Sequence, residues 1–112
     1  MADIFYLKKG DTYPAIEVQL TDGEGTPVNL TGASVNFRCS VVGTGNLFID
    51  ASATVTDAAL GKVSYQWQTG DTDIVGSYQM EWRVTFSDLT IATFPRGANV
   101  QFNTLIVQQD VD

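Results

Sequence analysis

Residues 5–37 read FYLKKGDTYPAIEVQLTDGEGTPVNLTGASVNF. Apolar and polar residues alternate within each run of this stretch. Ile16, Val18 and Leu20 interleave with Glu17, Gln19 and Thr21, and Val35 and Phe37 with Ser34 and Asn36. A period of two puts successive side chains on opposite faces of a strand, so each run reads as a half-buried strand. The breaks between runs are turn chemistry: Gly10, Pro14, the segment Asp22-Gly23-Glu24-Gly25, and Pro27. Glycine supplies the positive φ of tight turns, and proline removes a ladder donor. The opening third of the chain is therefore all-β, with no room for a helix.

The same pattern continues outward. Val35, Phe37, Cys39 and Val41 alternate with polar neighbours, and Leu47, Ile49, Ala51, Ala53 and Val55 keep one phase. Val63, Tyr65 and Trp67 form a shorter run. Tyr78, Met80, Trp82, Val84 and Phe86 line one face of a long strand, and Ser87-Asp88 turns it into a hairpin with Leu89–Phe94. In the last strand, Val100–Val107, the apolar phase changes between Phe102 and Leu105, which predicts a β-bulge near Asn103. About eight strands at regular spacing predict a sandwich, here one domain over residues 1–112. Its predicted core opposes the face of Val35, Phe37 and Cys39 to the face of Tyr78, Met80, Trp82 and Val84. Trp67 and Trp82 read most simply as core anchors, the alternative being an exposed aromatic docking surface.

The chain has 112 residues and a net charge of −7, from 13 acids and six bases. A nucleic-acid partner would need a basic face, and an anionic membrane surface is disfavoured for the same reason. No apolar run approaches the roughly 20 residues of a membrane span. The start, Met1 to Tyr6, lacks the basic and apolar regions of a signal peptide. The single cysteine, Cys39, shares a strand face with Val35, Phe37 and Val41 and reads as a small core hydrophobe.

Catalytic constellations are missing. The chain has no histidine, which removes the commonest general base and the usual triads. The acid pairs Asp22/Glu24 and Asp71/Asp73 have the turn positions that Asp favours and do not follow a calcium-loop spacing. Gly43-Thr44-Gly45 lies between strands and opens no helix, so it does not make a phosphate loop. No enzyme activity, cofactor or metal is expected.

The stretch also resembles a family. Lys9-Gly10-Asp11-Thr12, Pro14, Leu20, Asp22, Gly25, Pro27-Val28 and Leu30-Thr31-Gly32-Ala33 are similar to the immunoglobulin-like N-terminal domain of phage baseplate upper proteins. The resemblance implies an immunoglobulin-like β-sandwich and a non-catalytic virion protein made in the bacterial host cytoplasm. It implies a tail or baseplate component or an adaptor, whose partners are other virion proteins in a homo-oligomeric or symmetric assembly. Capsid decoration and a carbohydrate-binding module are the alternatives; the second would expose a flat row of two or three rings among Tyr6, Tyr13, Phe48 and Phe94, flanked by Asn or Asp. The segment from Asp73 through Gly76 to Tyr78 resembles the tyrosine corner of immunoglobulin-like domains, although its spacing from Asp73 is longer than usual.

A non-catalytic sandwich works through its surface, and open sheet edges invite pairing. The first strand, Ile4–Lys8, carries Phe5, Tyr6 and Leu7 together, and the last carries Leu105 and Val107 opposite Phe102. Both read as edges that are apolar on two faces. A strand apolar on both faces is either covered by its own chain or waiting for a partner; the resemblance favours a partner, so Phe5, Tyr6, Leu7, Leu105 and Val107 are the predicted partner contacts.

Overall fold

The computed structural model describes residues 3–22, 24–42, 47–94 and 102–109. Among these residues nine strands form: β1 (Asp3–Lys8), β2 (Ile16–Gln19), β3 (Ser34–Val41), β4 (Leu47–Ser52), β5 (Thr54–Asp57), β6 (Lys62–Tyr65), β7 (Gly76–Thr85), β8 (Ile91–Phe94) and β9 (Phe102–Gln108). The larger sheet runs β1-β9-β7-β3-β4, with β8 also on β7; the smaller runs β2-β6-β5. The chain is all-β, and the two sheets pack as a sandwich.

Strand β7 organises the larger sheet. Its one side pairs with β3 from Tyr78 to Thr85. Its other side takes β8 against Trp82–Thr85 and β9 against Gly76–Gln79. Strands β8 and β9 thus lie along one line, and both run antiparallel to β7. The predicted hairpin between β7 and β8 is present. Val100, placed by the sequence at the start of the last strand, lies outside the described residues. In β9 the ladder to β1 jumps from Asp3↔Phe102 to Ile4↔Thr104. Asn103 is the residue left over, which is how a bulge restores the inward phase of Leu105 and Val107.

Two expectations need correction. The faces of β3 and β7 do not oppose each other. The strands are neighbours, with Val35 beside Val84, Phe37 beside Trp82 and Cys39 beside Met80. The opposing face comes from the smaller sheet, through Ile16, Val18, Val63 and Tyr65. The predicted single strand from Leu47 to Val55 also divides. Strand β4 pairs with β3 and β5 pairs with β6, so the chain changes sheets at Ala53. The Ala53 N–H still donates to the Val35 carbonyl at 2.8 Å. Alternation survives the crossing because both halves face the same core.

Phe37 is the hub of that core and is fully buried. It stacks on Tyr65 across the sandwich at 4.6 Å and 19°. Trp67 meets it edge-on at 5.5 Å, and Trp82 lies at 4.8 Å on the same sheet. Aromatic pairs in these arrangements add stabilisation beyond their buried area.

Cys39 is buried beside this cluster. Burial, with a smaller contribution from the Asp71 charge, pushes its thiol up to about 12. The unfolded thiol ionises near pH 8.5, at about its unperturbed value. A group whose pKa is raised on folding adds no pH dependence below the unfolded value. Above it, the unfolded chain ionises first and stability falls as pH climbs toward 12. Urea melts from pH 7 to 10.5 should show this fall, and Cys39→Ala should lessen it. An equally steep fall in the variant would remove Cys39 as its source.

Candidate interaction surface

Among the described residues β1 is one edge of the larger sheet, and β4 is the other. Strand β9 pairs with β1 in parallel from Asp3 to Lys8, and no described residue pairs with the other side of β1. In such a ladder alternate residues turn their backbone groups toward the partner. The Lys9 N–H reaches the Gln108 carbonyl at 2.8 Å, so Phe5 and Leu7 face β9 in the same phase. Ile4, Tyr6 and Lys8 then turn their backbone groups outward. At Lys8 those groups are already used. Its N–H donates to Asp11 Oδ2 at 3.1 Å, and its carbonyl accepts the Asp11 N–H at 3.0 Å. Ile4 and Tyr6 remain as the open part of the edge.

The side chains of β1 divide just as cleanly. Leu7 is buried, and Phe5 is half-buried with its ring 6.0 Å from that of Trp67. Ile4 is 41% exposed and Tyr6 54% exposed. Tyr6 sits beside the half-buried Ile106 of β9, which makes a small apolar patch on the outer face next to the open edge.

The predicted contact set is corrected accordingly. Leu7, Leu105 and Val107 are core residues, exposed by 3%, 1% and 1%. Strand β9 is no edge, because it lies between β1 and β7. The two terminal strands cover each other, so each looks apolar on two faces in sequence. Of the five predicted residues, Tyr6 is the exposed one. The sequence passed over Ile4, whose exposure follows from sharing the phase of Tyr6.

A second exposed apolar group lies at one end of the sandwich. The loop after β1 is joined there to the loop before β7. Thr72, a buried polar residue, donates through its hydroxyl to the Asp11 carbonyl at 2.7 Å, and its carbonyl accepts the Gly10 N–H. Gln66 Nε2 donates to the Thr12 carbonyl at 2.6 Å. These joined loops carry Tyr13, Ile74 and Val75, all exposed. The Tyr78 hydroxyl fastens the same end by donating to the Ile74 carbonyl at 2.6 Å. The acceptor is Ile74, not Asp73, which accounts for the apparently long spacing. A Cβ added at Gly76, the first residue of β7, would come within 3.9 Å of the Tyr78 hydroxyl oxygen. Tyr78→Phe should cost about 1 kcal/mol in denaturant melts, the value of one partly buried hydrogen bond; no change in the midpoint would show the bond to be idle.

The acid pairs serve their turns. Asp22 Oδ1 accepts from the Glu24 and Thr26 amides. Asp71 Oδ2 accepts from the Tyr65 hydroxyl at 2.6 Å and the Gln68 amide at 2.9 Å. Burial, then that hydrogen bond and the Asp71 charge, push the Tyr65 phenol upward. Asp73 is exposed and joins neither contact. Among the described residues no group of three or more Cys, Asp or Glu is gathered as metal ligands would be. The outer face of the smaller sheet bears an open groove of about 310 Å³ edged by Glu17, Gln19, Thr56 and Lys62. Of the aromatics weighed for sugar stacking, Tyr6 and Tyr13 are exposed, Phe94 is buried, and Phe48 is half-buried and stacked on Tyr78 at 5.3 Å.

No family model matches the chain. No curated protein matches it. Among solved structures it is similar to CopC from Methylosinus trichosporium OB3b, with a TM-score of 0.52 and 16% identity, over 96% of this chain and 86% of that one. This corrects the expected role in a virion: a solved structure similar to the chain is CopC, and neither that likeness nor a family model supports a phage structural protein. At this identity the likeness bears on architecture alone. It shows an all-β, immunoglobulin-like β-sandwich, the fold class expected from the alternating strands.

Proposed function

We propose that this chain is a non-enzymatic recognition module that binds protein by strand addition at β1. The observation that carries the reading is the state of that edge. Ile4 and Tyr6 turn unused backbone groups outward beside exposed apolar side chains, while Asp11 closes the edge at Lys8. Sheet edges are normally blunted by charge, proline, bulges or covering segments, because an open edge templates pairing. An edge left open over a short window and stopped at one end is suited to one added strand. Backbone bonds then supply affinity, and alternate side chains supply selectivity. The absence of histidine from the sequence leaves the usual acid–base catalysts without their commonest member.

A photo-cross-linking residue in place of Tyr6 tests the reading in the cells that make the protein. Covalent protein adducts are expected from position 6. The same residue at Thr54, exposed on β5, should give none. Adducts at Thr54 alone, or none at either position, would remove β1 as the contact surface.

A further inference from the structure

We infer that the strand added at β1 is β1 of a second copy, in an antiparallel pairing centred on Phe5. This rests on the strand-addition reading and names its occupant. A two-fold axis perpendicular to the sheet pairs two identical edges and keeps the inner face of one copy level with the inner face of the other. Pairing must then set odd residues against odd and even against even.

Two such registers set both open residues opposite described residues of β1. In the first, Ile4 stands opposite Tyr6 and Tyr6 opposite Ile4. Both residues turn their backbone groups outward, so each pair exchanges N–H and C=O in the hydrogen-bonded geometry of an antiparallel ladder. In the second, Tyr6 faces Tyr6 and Ile4 faces Lys8, whose N–H and carbonyl are held by Asp11. The first register therefore wins. The open groups are symmetric about Phe5, which makes the window complementary to itself.

The exposed side chains agree with that register. On the outer face the partner's Ile4 comes beside Tyr6, which already neighbours Ile106. The patch becomes one apolar stripe across the junction, from exposed groups that each copy alone leaves in water. The net charge of −7 on each copy opposes association, so added salt should strengthen the dimer by screening the long-range repulsion.

Sedimentation equilibrium on the full chain over a concentration series gives the first readout. A monomer–dimer equilibrium is expected, shifted toward dimer in 0.5 M salt, about three times physiological ionic strength. Tyr6→Lys should be monomeric with an unchanged circular dichroism spectrum. The register is read by disulfide trapping. Phe5→Cys should oxidise to a covalent dimer at least about tenfold faster than Tyr6→Cys, because only position 5 faces itself within bonding reach. Since Phe5 also packs on Trp67, a mixture of Ile4→Cys and Tyr6→Cys chains gives a second route. It should yield the mixed disulfide in preference to either homodimer. A chain that stays monomeric to roughly 1 mM overturns the inference. A dimer that survives Tyr6→Lys overturns it too. A monomer whose position 6 still cross-links to a different protein loses this inference and keeps strand addition; a monomer with no adduct at position 6 loses both.

Discussion

Trp82→Ala is expected to lower stability by about 3–5 kcal/mol, the range for a large aromatic removed from a packed core. Trp82 is exposed by 1%, with the hub ring of Phe37 at 4.8 Å and Phe94 beside it on β8. It lies where β3, β7 and β8 meet, so the cavity would open within the larger sheet and under the aromatic cluster. Its indole N–H has no hydrogen-bond partner among the described residues. Trp82→Phe removes that unpartnered donor and keeps most of the ring, so it should cost well under the alanine variant. Urea melts decide this. An alanine cost below about 1 kcal/mol would mean that the residue is not in the core at all.

The second large effect belongs to Gly61. It turns the chain into β6 at a φ of +69°. A Cβ there would lie 2.7 Å from the carbonyl oxygens of both Leu20 and Val28. These are backbone atoms held in place: the Gly61 carbonyl accepts the Leu20 N–H at 2.7 Å, and the Leu20 carbonyl accepts the Val28 N–H at 2.9 Å. Gly61→Ala should therefore cost about 3 kcal/mol or more, from left-handed strain and the clash together. Gly10 supplies the control. Its φ is +86°, yet a Cβ would meet nothing within 4 Å. Gly10→Ala should cost only the conformational penalty of about 1–2 kcal/mol. Equal losses at the two sites would show that the close approach at Gly61 is not real.

What the sequence discloses here is face rather than neighbour. Period two marks Phe37, Trp82 and Val63 as inward, and all three are buried. It cannot say which strands are adjacent, because alternation is the same whether two inward faces lie side by side or across the core. That is why β3 and β7 look like opposing faces and prove to be partners. It is also why the sheet change at Ala53 leaves no mark in the pattern. The bulge at Asn103 is legible, since an extra residue shifts phase within a single strand.

The candidate surface is legible only in part, for the same reason. The parallel pairing of β1 with β9 joins opposite ends of the chain and leaves no local signature. Without it Leu105 and Val107 pass for edge residues. With it they are core, and the open edge contracts to Ile4 and Tyr6. The Asp11 contacts that close the edge at Lys8 are short-range turn contacts, but their consequence depends on which side of β1 is free. Thr72 is hidden more deeply still. A lone threonine in a polar loop gives no sign that it will be buried against the Asp11 carbonyl and tie two loops together.

Amide hydrogen exchange of Ile4 and Tyr6, resolved residue by residue at two protein concentrations, tests the open edge most directly. In dilute solution both amides should exchange rapidly, while Phe5 and Leu7, facing β9, are protected. At high concentration Ile4 and Tyr6 should become protected, and Tyr6→Lys should abolish that gain. Protection of both amides already in the dilute monomer, or the same fast exchange at every concentration, would contradict the account.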